Sequence, residues 1–161
     1  MKVMRYMIAD YLNTGTSSEE AYSLMGTGFL TLDENPTAKM DSTAYINNKS
    51  ASGTVTGYQT TFPFDTQFVS DEAAVKKLYD IARNQKTGTD AEVDYIRVDL
   101  YDTAAPEGSY PARKFRVSVE VTGITGAGTE IMKVAGNLHQ VGDFVEGSFN
   151  TKTRTFTKKE A

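Results

Sequence analysis

Alternation of apolar and polar residues is clearest over residues 113–123. Phe115, Val117, Val119 and Val121 are apolar, and the residues between them are polar or charged. Successive side chains of a strand point to opposite sides, so this pattern predicts a strand with one apolar face.

Residues 70–86 have the spacing of an amphipathic helix instead. Apolar residues recur three and four positions apart and form one stripe, which comprises Ala74, Val75, Leu78, Ile81 and Ala82. Ser70 is a typical N-cap residue, and Gly88 stands just past the expected end of the helix. The pattern predicts a single helix that packs one face on a sheet.

The other predicted strands are short and separated by turn residues. They comprise one short strand within residues 1–25 and the segments 29–33, 53–68, 91–102, 129–140, 144–150 and 153–157. Pro63 cannot donate a hydrogen bond to a neighbouring strand, so segment 53–68 is expected to be an edge strand or to bend there. Seven or eight strands with one flanking helix predict a mainly β fold, an antiparallel β-sandwich or barrel.

A length of 161 residues suits one domain, residues 1–161, but two segments fit the strand pattern poorly. Residues 1–25 mix apolar and polar positions without a clean period, which we interpret as an N-terminal arm. Residues 37–54 are polar, with Tyr45–Ile46 as the main apolar pair. So long a stretch with little core content is uncommon in a compact domain. We interpret residues 34–54 as a long extended loop or hairpin that reaches beyond its own subunit; an ordinary mobile loop is the alternative.

Composition and charge exclude several classes of protein. The chain has no cysteine, which excludes disulfides and thiolate metal sites. A net charge of −4 argues against binding nucleic acid by neutralising phosphates. No apolar run is long enough for a signal peptide or a membrane span, so we expect a protein made in a cytoplasm. Residues 61–110 carry five Lys/Arg against ten Asp/Glu, and residues 111–161 carry eight against five; this split could attract copies of the same chain, or arise by chance.

No combination of residues indicates catalysis, a metal site or a cofactor. His139 is the only histidine, so a catalytic triad or a zinc site would lack further histidines. Asp90, Glu92 and Asp94 alternate at the start of a predicted strand but lack the spacing of a calcium loop. We interpret them as a solvated acidic face, and we expect no enzyme activity.

The order of several segments resembles that of bacteriophage major tail proteins, also called tail tube proteins. Tyr45–Asn47 precedes the tyrosine-containing segment 53–64, which leads through an acidic turn into the helix. Residues 112–121 then precede a pattern formed by segments 136–138 and 142–149, with a last strand near residues 155–157. The resemblance covers about residues 25–157.

This resemblance implies a β-sandwich whose sheet edges join neighbours into six-fold rings that stack into a hollow tube. The implied partners are copies of the chain, other tail proteins at the tube ends, and the tape measure protein and phage DNA in the lumen. DNA would pass without sequence-specific binding, no membrane or cofactor is involved, and the protein would reside in the virion after assembly in the bacterial host cytoplasm. On this basis we expect contacts between subunits at Tyr6, Met7, Tyr11, Met40, Tyr45, Ile46, Tyr58 and Phe62.

Other readings of the sequence remain open. The tube protein of a contractile tail, a tailocin or a type VI secretion system would share the architecture. A carbohydrate- or host-binding β-sandwich module would instead need a cluster of exposed aromatic side chains, for which Tyr95, Tyr101 and Tyr110 are the candidates. A small enzyme is the third class.

Overall fold

The computed structural model describes residues 1–16, 18–103 and 107–160. The helical elements within them are one α-helix, α1 (Ala73–Arg83), and two short 3-10 turns, Arg5–Met7 and Gly88–Ala91. The strands are β1 (Ile8–Asn13), β2 (Tyr22–Leu24), β3 (Phe29–Leu32), β4 (Ala38–Thr43), β5 (Ser52–Tyr58), β6 (Thr61–Gln67), β7 (Glu92–Asp99), β8 (Ser109–Thr125), β9 (Lys133–Gln140), β10 (Val145–Asn150) and β11 (Thr155–Lys158). The prediction of a mainly β, antiparallel fold with one helix is confirmed.

Nine strands form one antiparallel sheet that is organised around β8. The main path runs β2-β1-β7-β8-β9-β6-β3. The first part of β8 pairs with β10, its later part pairs with β9, and β7 lies along its other side. Because β8 takes part in two sheet segments, the sheet folds over in a sandwich-like way. It forms no closed barrel within the described ranges, where β4 and β5 pair only with each other.

The larger core lies between β6, β7, β8 and α1. Its centre is a group of three rings in which Phe62 lies 4.8 Å from Tyr95 and 4.9 Å from Phe115, measured between centroids. Helix α1 covers this core with the predicted stripe, since Ala74, Val75, Leu78 and Ile81 are buried. Such offset and edge-to-face ring packing stabilises a core beyond the area that it buries.

A second, smaller core lies on the other face of β7. Ile96 and Val98 pack there against Phe149, Tyr11 and Tyr22. The ring centroids of Tyr11 and Phe149 are 4.5 Å apart. Strand β7 is therefore covered on both faces, which explains why Tyr95–Val98 are all buried.

The helix is shorter than predicted at both ends. It begins after Glu72, which occupies the N-cap position without a side-chain capping bond. Ser70 does not cap it, because a turn closed by the Glu72 N–H and the Val69 carbonyl places Ser70 ahead of the helix. The burial of Ala74, Val75, Leu78 and Ile81 confirms the predicted apolar stripe. This stripe depends on tertiary packing and not on the cap.

The segment predicted as one strand over residues 53–68 is two strands. The chain leaves the ribbon of β5 after Tyr58 and enters the main sheet at Thr61. Strand β6 is not an edge strand, since it lies between β9 and β3. Pro63 has no N–H to donate. It is tolerated because its nitrogen and carbonyl point toward Asp33, just after β3 ends, where the Asp33 N–H donates to the Pro63 carbonyl.

Part of the predicted N-terminal arm belongs to the sheet. Strand β1 pairs with β7 and β2, and residues 10–13 are all buried. Burial on both faces removes the alternation by which a strand is recognised in a sequence. Residues 1–6 are exposed and lie outside the sheet.

Substitutions at Phe62 and Tyr58 test whether segment 53–68 consists of an exposed strand, β5, and a buried strand, β6. Phe62→Ala should lower the free energy of unfolding by about 3–5 kcal/mol, because it leaves a cavity between Tyr95 and Phe115. Tyr58→Ala should change it by less than about 0.5 kcal/mol, because Tyr58 is exposed. Urea unfolding followed by circular dichroism measures both, and Phe62→Leu should lie between them. Equal costs at the two positions would contradict the assignment.

Candidate assembly surface

Strands β4 and β5 form a hairpin that leaves the main body of the protein; residues 36–59 are named the projecting hairpin. Its register pairs Ala38 with Tyr58 and Met40 with Val55, so these four side chains lie on one face. Met40, Val55 and Tyr58 are 63%, 47% and 65% exposed. This surface, the apolar face of the hairpin, has no cover from the described residues.

The opposite face of the hairpin is polar. It carries Lys39, Asp41 and Thr54, and Asp41 stands across from Thr54. A bulge at Thr56, whose hydroxyl donates to the Lys39 carbonyl, adjusts the register between the two faces. The hairpin is thus amphipathic although both of its faces are exposed.

The tip of the hairpin carries two more apolar side chains. Tyr45 is largely exposed, and Ile46 is fully exposed. A turn closed by the Asn48 N–H and the Tyr45 carbonyl, 3.1 Å apart, holds this pair. The tip therefore adds two exposed apolar side chains to those of the ribbon.

The base of the hairpin is fixed to the sheet by its backbone. Asn35 and Thr61 exchange both of their backbone hydrogen bonds, at 2.8 and 3.0 Å. The Gln59 N–H also donates to the Thr37 carbonyl at 3.0 Å. The chain therefore enters and leaves the hairpin side by side.

The side chain of Glu34, the residue before Asn35, also holds the base of the hairpin to the main sheet. Its carboxylate accepts two hydrogen bonds from Arg113, from Nη1 at 2.7 Å and from Nη2 at 2.9 Å, and Arg97 Nε lies 3.7 Å away. A two-pronged contact of this kind fixes orientation as well as distance. Burial alone would raise the pKa of Glu34, but the hydrogen bonds and charge of Arg113, with the charge of Arg97, leave this pKa lowered.

Arg97 connects Glu34 to a fully enclosed carboxylate. Asp10 is buried, its Oδ2 accepts from Arg5 Nη2 at 2.7 Å, and its Oδ1 lies 3.4 Å from Arg97 Nη1. Tyr95 donates its hydroxyl hydrogen to Asp10 and accepts from Arg97 Nη1 at 3.1 Å. Burial, reinforced by the charge of Asp10, raises the pKa of Tyr95 well above its usual value. We name these six side chains the charge network: Arg5, Asp10, Glu34, Tyr95, Arg97 and Arg113.

The structure separates the eight predicted contact residues into two groups. Tyr6, Met40, Tyr45, Ile46 and Tyr58 are exposed, and the last four lie together on the projecting hairpin. Met7 is half-buried at the end of the 3-10 turn before β1. Tyr11 and Phe62 are buried in the two cores, so in this structure they present no surface to a neighbour. Contacts at these two residues stay a prediction, one that the position of their rings in the protein's own interior does not favour.

The sequence reasoning missed two sets of residues at this surface. Val55 completes the apolar face. Its alternation with polar neighbours can be seen in the sequence, but the bulge that places it beside Met40 cannot. The charge network also went unnoticed, because its members are distant in the chain and each is an ordinary charged residue or tyrosine by itself.

The aromatic residues considered for carbohydrate binding do not form a platform. Tyr95 is fully buried in the larger core, whereas Tyr101 is exposed and Tyr110 is half-buried against the smaller core. The expected cluster of exposed rings is therefore absent from these three positions.

The residues considered for chemistry are engaged in surface pairs. His139 Nε2 lies 3.3 Å from Glu120 Oε1, on the solvent face of β8 and β9. Arg116 donates to both Glu92 and Asp94 at 3.3 Å, so these acids are paired with a cation. Over residues 1–16, 18–103 and 107–160, no three His, Asp or Glu side chains are grouped closely enough to hold a metal ion.

The chain matches no protein-family model and no curated protein sequence. None of the helices in the described part has the length and apolar character needed to cross a membrane.

Glu34→Gln tests whether the charge network stabilises the base of the hairpin. It should lower the free energy of unfolding at neutral pH by about 1–3 kcal/mol, because Arg113 loses a charged acceptor. A lowered folded-state pKa means that the carboxylate stabilises the fold above the ordinary glutamate pKa of about 4.3. That contribution is lost as the pH falls through the lower folded-state pKa. The difference in free energy of unfolding between wild type and Glu34→Gln should therefore be largest at neutral pH and become smaller below about pH 4.

Denaturant unfolding over a pH series measures this difference. Glu19→Gln is the matched control, since Glu19 is exposed, and it should leave stability unchanged throughout. A Glu34→Gln difference that stays the same at acid pH would contradict the role of the carboxylate charge.

Proposed function

We propose that this protein is a structural subunit that assembles with copies of itself into the tube of a bacteriophage tail, as stacked hexameric rings around a lumen for DNA. The observation that carries the proposal is the apolar face of the projecting hairpin, which its own chain leaves exposed. Exposed apolar patches rimmed by polar residues mark sites where a protein contacts a partner.

The hairpin itself needs such a partner. A two-stranded ribbon is only marginally stable in water, and packing of one face is what usually makes it stable. Here the base is fixed by the Asn35–Thr61 pair and by the contact of Glu34 with Arg113, whereas Met40, Val55 and Tyr58 pack on nothing comparable. A rigid base with an unsatisfied apolar face is the arrangement expected of a docking element.

The arrangement of the sheet also supports assembly. Within the described residues, β3 and β11 each pair with one strand only, so each has an unpaired edge. Unpaired edges favour pairing with another chain, and closed assemblies use that property. Together with the order of segments that resembles tail tube proteins, this favours a tube subunit over an isolated binding module.

The partners in this proposal are those of a tube. They are neighbouring copies, other tail proteins at the two ends, and the tape measure protein and DNA in the lumen. A net charge of −4 suits a conduit that does not retain DNA. A tube of a contractile tail, a tailocin or a type VI secretion system would use the same type of subunit and would differ by a sheath-facing outer surface.

Electron microscopy of the purified protein tests this function directly. Over a concentration series we expect hollow tubes or six-fold rings of uniform diameter. A protein that stays monomeric at the highest concentrations reached, by microscopy and by analytical ultracentrifugation, would contradict the proposal. Binding of the monomer to a glycan array would favour a carbohydrate-binding module instead.

Replacing the projecting hairpin by a tight turn tests its role. Asn35 and Thr61 form a pair with both hydrogen bonds, which a two-residue Asn-Gly turn can close. The variant with Asn-Gly in place of residues 36–60 should fold with the circular dichroism of a β protein and remain monomeric. If it still forms normal tubes, the hairpin does not mediate assembly.

Two single substitutions in the intact hairpin serve as a matched pair for this experiment. Met40→Lys places a charge on the apolar face and should abolish assembly or weaken it strongly. Thr54→Lys places the same charge on the polar face, opposite Asp41, and should leave assembly close to that of wild type. An equal effect of both would indicate that added charge, and not loss of the apolar face, is responsible.

A further inference from the structure

A concave groove lies between β1 and β3. Its volume is about 840 Å³, and it is lined by β1, β3 and the turn before β1. Much of its lining is apolar, including Tyr6, Ile8, Leu24, Phe29, Leu30 and Leu100. Tyr6, Leu24 and Leu30 are exposed. The apolar lining of this groove is therefore open to solvent.

The groove marks the place where the main sheet stays open. Strand β3 is at one end of the strand order, and β1 pairs with β2 only from Tyr11 to Asn13. The side chain of Arg5 bridges this gap. It donates through Nη1 to the Ile8 carbonyl and through Nη2 to the Leu32 carbonyl, both at 2.9 Å. The two strands are thus bridged at one point and separated elsewhere.

We propose that this groove is the acceptor for the apolar face of the projecting hairpin of a second copy. The proposal rests on the proposed function, since it names the surface with which the hairpin assembles. Donor and acceptor belong to the same polypeptide, so every copy carries one of each.

Chemistry and charge both favour this occupant. The groove offers a concave and partly apolar lining, and the hairpin offers a projecting apolar face with Met40, Val55 and Tyr58 exposed. The charged side chains that line the groove are Arg5, Asp10 and Asp33. Asp10 is buried and paired with Arg5, so the exposed carboxylate of Asp33 leaves one negative charge in excess. On the hairpin, Lys39 and Asp41 share the polar face, and Lys49 near the tip leaves one positive charge in excess. The two surfaces are therefore complementary in polarity and in sign.

The hairpin of the same chain does not fill the groove. Its apolar side chains are exposed in the structure, and residues 31–33, which line the groove, lead away from it to the hairpin base. A second exposed apolar patch, formed by Ile124, Ile131 and Met132, lies where β8 and β9 meet. That patch is on a turn and its neighbouring strand ends, and it does not contribute to the groove.

The contact is heterologous, because the hairpin and the groove are different surfaces. A heterologous contact between identical chains closes into a ring or continues as a filament. The proposed acceptor therefore supplies the polarity that a stacked or ring-shaped assembly requires.

The absence of cysteine makes a cross-linking test clean. Purified Met40→Cys is mixed with purified Leu30→Cys at a concentration where wild type assembles, and the mixture is oxidised or treated with a short bis-maleimide. The expected product is a covalent dimer that contains one chain of each kind. Ile131→Cys mixed with Met40→Cys is the matched control and should yield far less dimer.

Directionality provides the second readout. A chain with the Asn-Gly turn in place of residues 36–60 and Leu30→Cys lacks the donor but keeps the acceptor, so it should still couple to full-length Met40→Cys. Dimer formed equally well or better with Ile131→Cys would overturn the groove as the acceptor. A disulfide formed within one chain by a dilute Met40→Cys, Leu30→Cys double variant would overturn it as well, in favour of the chain's own hairpin.

The outcomes also separate this inference from the proposed function. Tubes or rings that form without coupling between Met40→Cys and Leu30→Cys would overturn the groove and leave the tube. Specific coupling in a protein that forms only small oligomers would support the groove and contradict the tube.

Discussion

The buried carboxylate of Asp10 is the constraint on which the rest of the structure depends. A charge without access to water must be paired and hydrogen-bonded, and removal of one partner from such a pair is strongly destabilising. Its partners come from the N-terminal turn through Arg5 and from β7 through Tyr95 and Arg97. Strand β1 can therefore occupy only one position on β7, and the N-terminal turn must close over it.

The same network determines where the projecting hairpin begins. Arg97 contacts Asp10 inside the protein and faces Glu34 at the hairpin base, and Arg113 holds Glu34 from β8. The core and the hairpin are thus linked by a short series of charged contacts, whereas the apolar side chains of the hairpin lie beyond it. The base of the hairpin is therefore fixed, whereas its apolar face remains exposed.

Periodicity in the sequence predicts those elements that bury only one face. It is sufficient for the second half of β8 and for the helix stripe at Leu78 and Ile81, but not for β1, which is buried on both faces. Four hairpin residues were predicted as contacts, yet Tyr11 and Phe62 were included with them. A ring in a β-rich segment has the same local pattern whether it packs inside or outside. The charge network could not be predicted at all, because residues such as Asp10 and Arg97 meet only through strand pairing.

Dimensions indicate how an assembly built on this hairpin would behave. A ribbon of two strands of six or seven residues is about 20 Å long and about 10 Å wide, a footprint of about 200 Å². Even twice that area as accessible surface is well below the roughly 800 Å² per partner of a stable specific interface. One hairpin in one groove would thus bind weakly, and a single pair of subunits would separate readily. Stability would come from closure, where each subunit is both donor and acceptor, so the free subunit could stay soluble until many contacts form together.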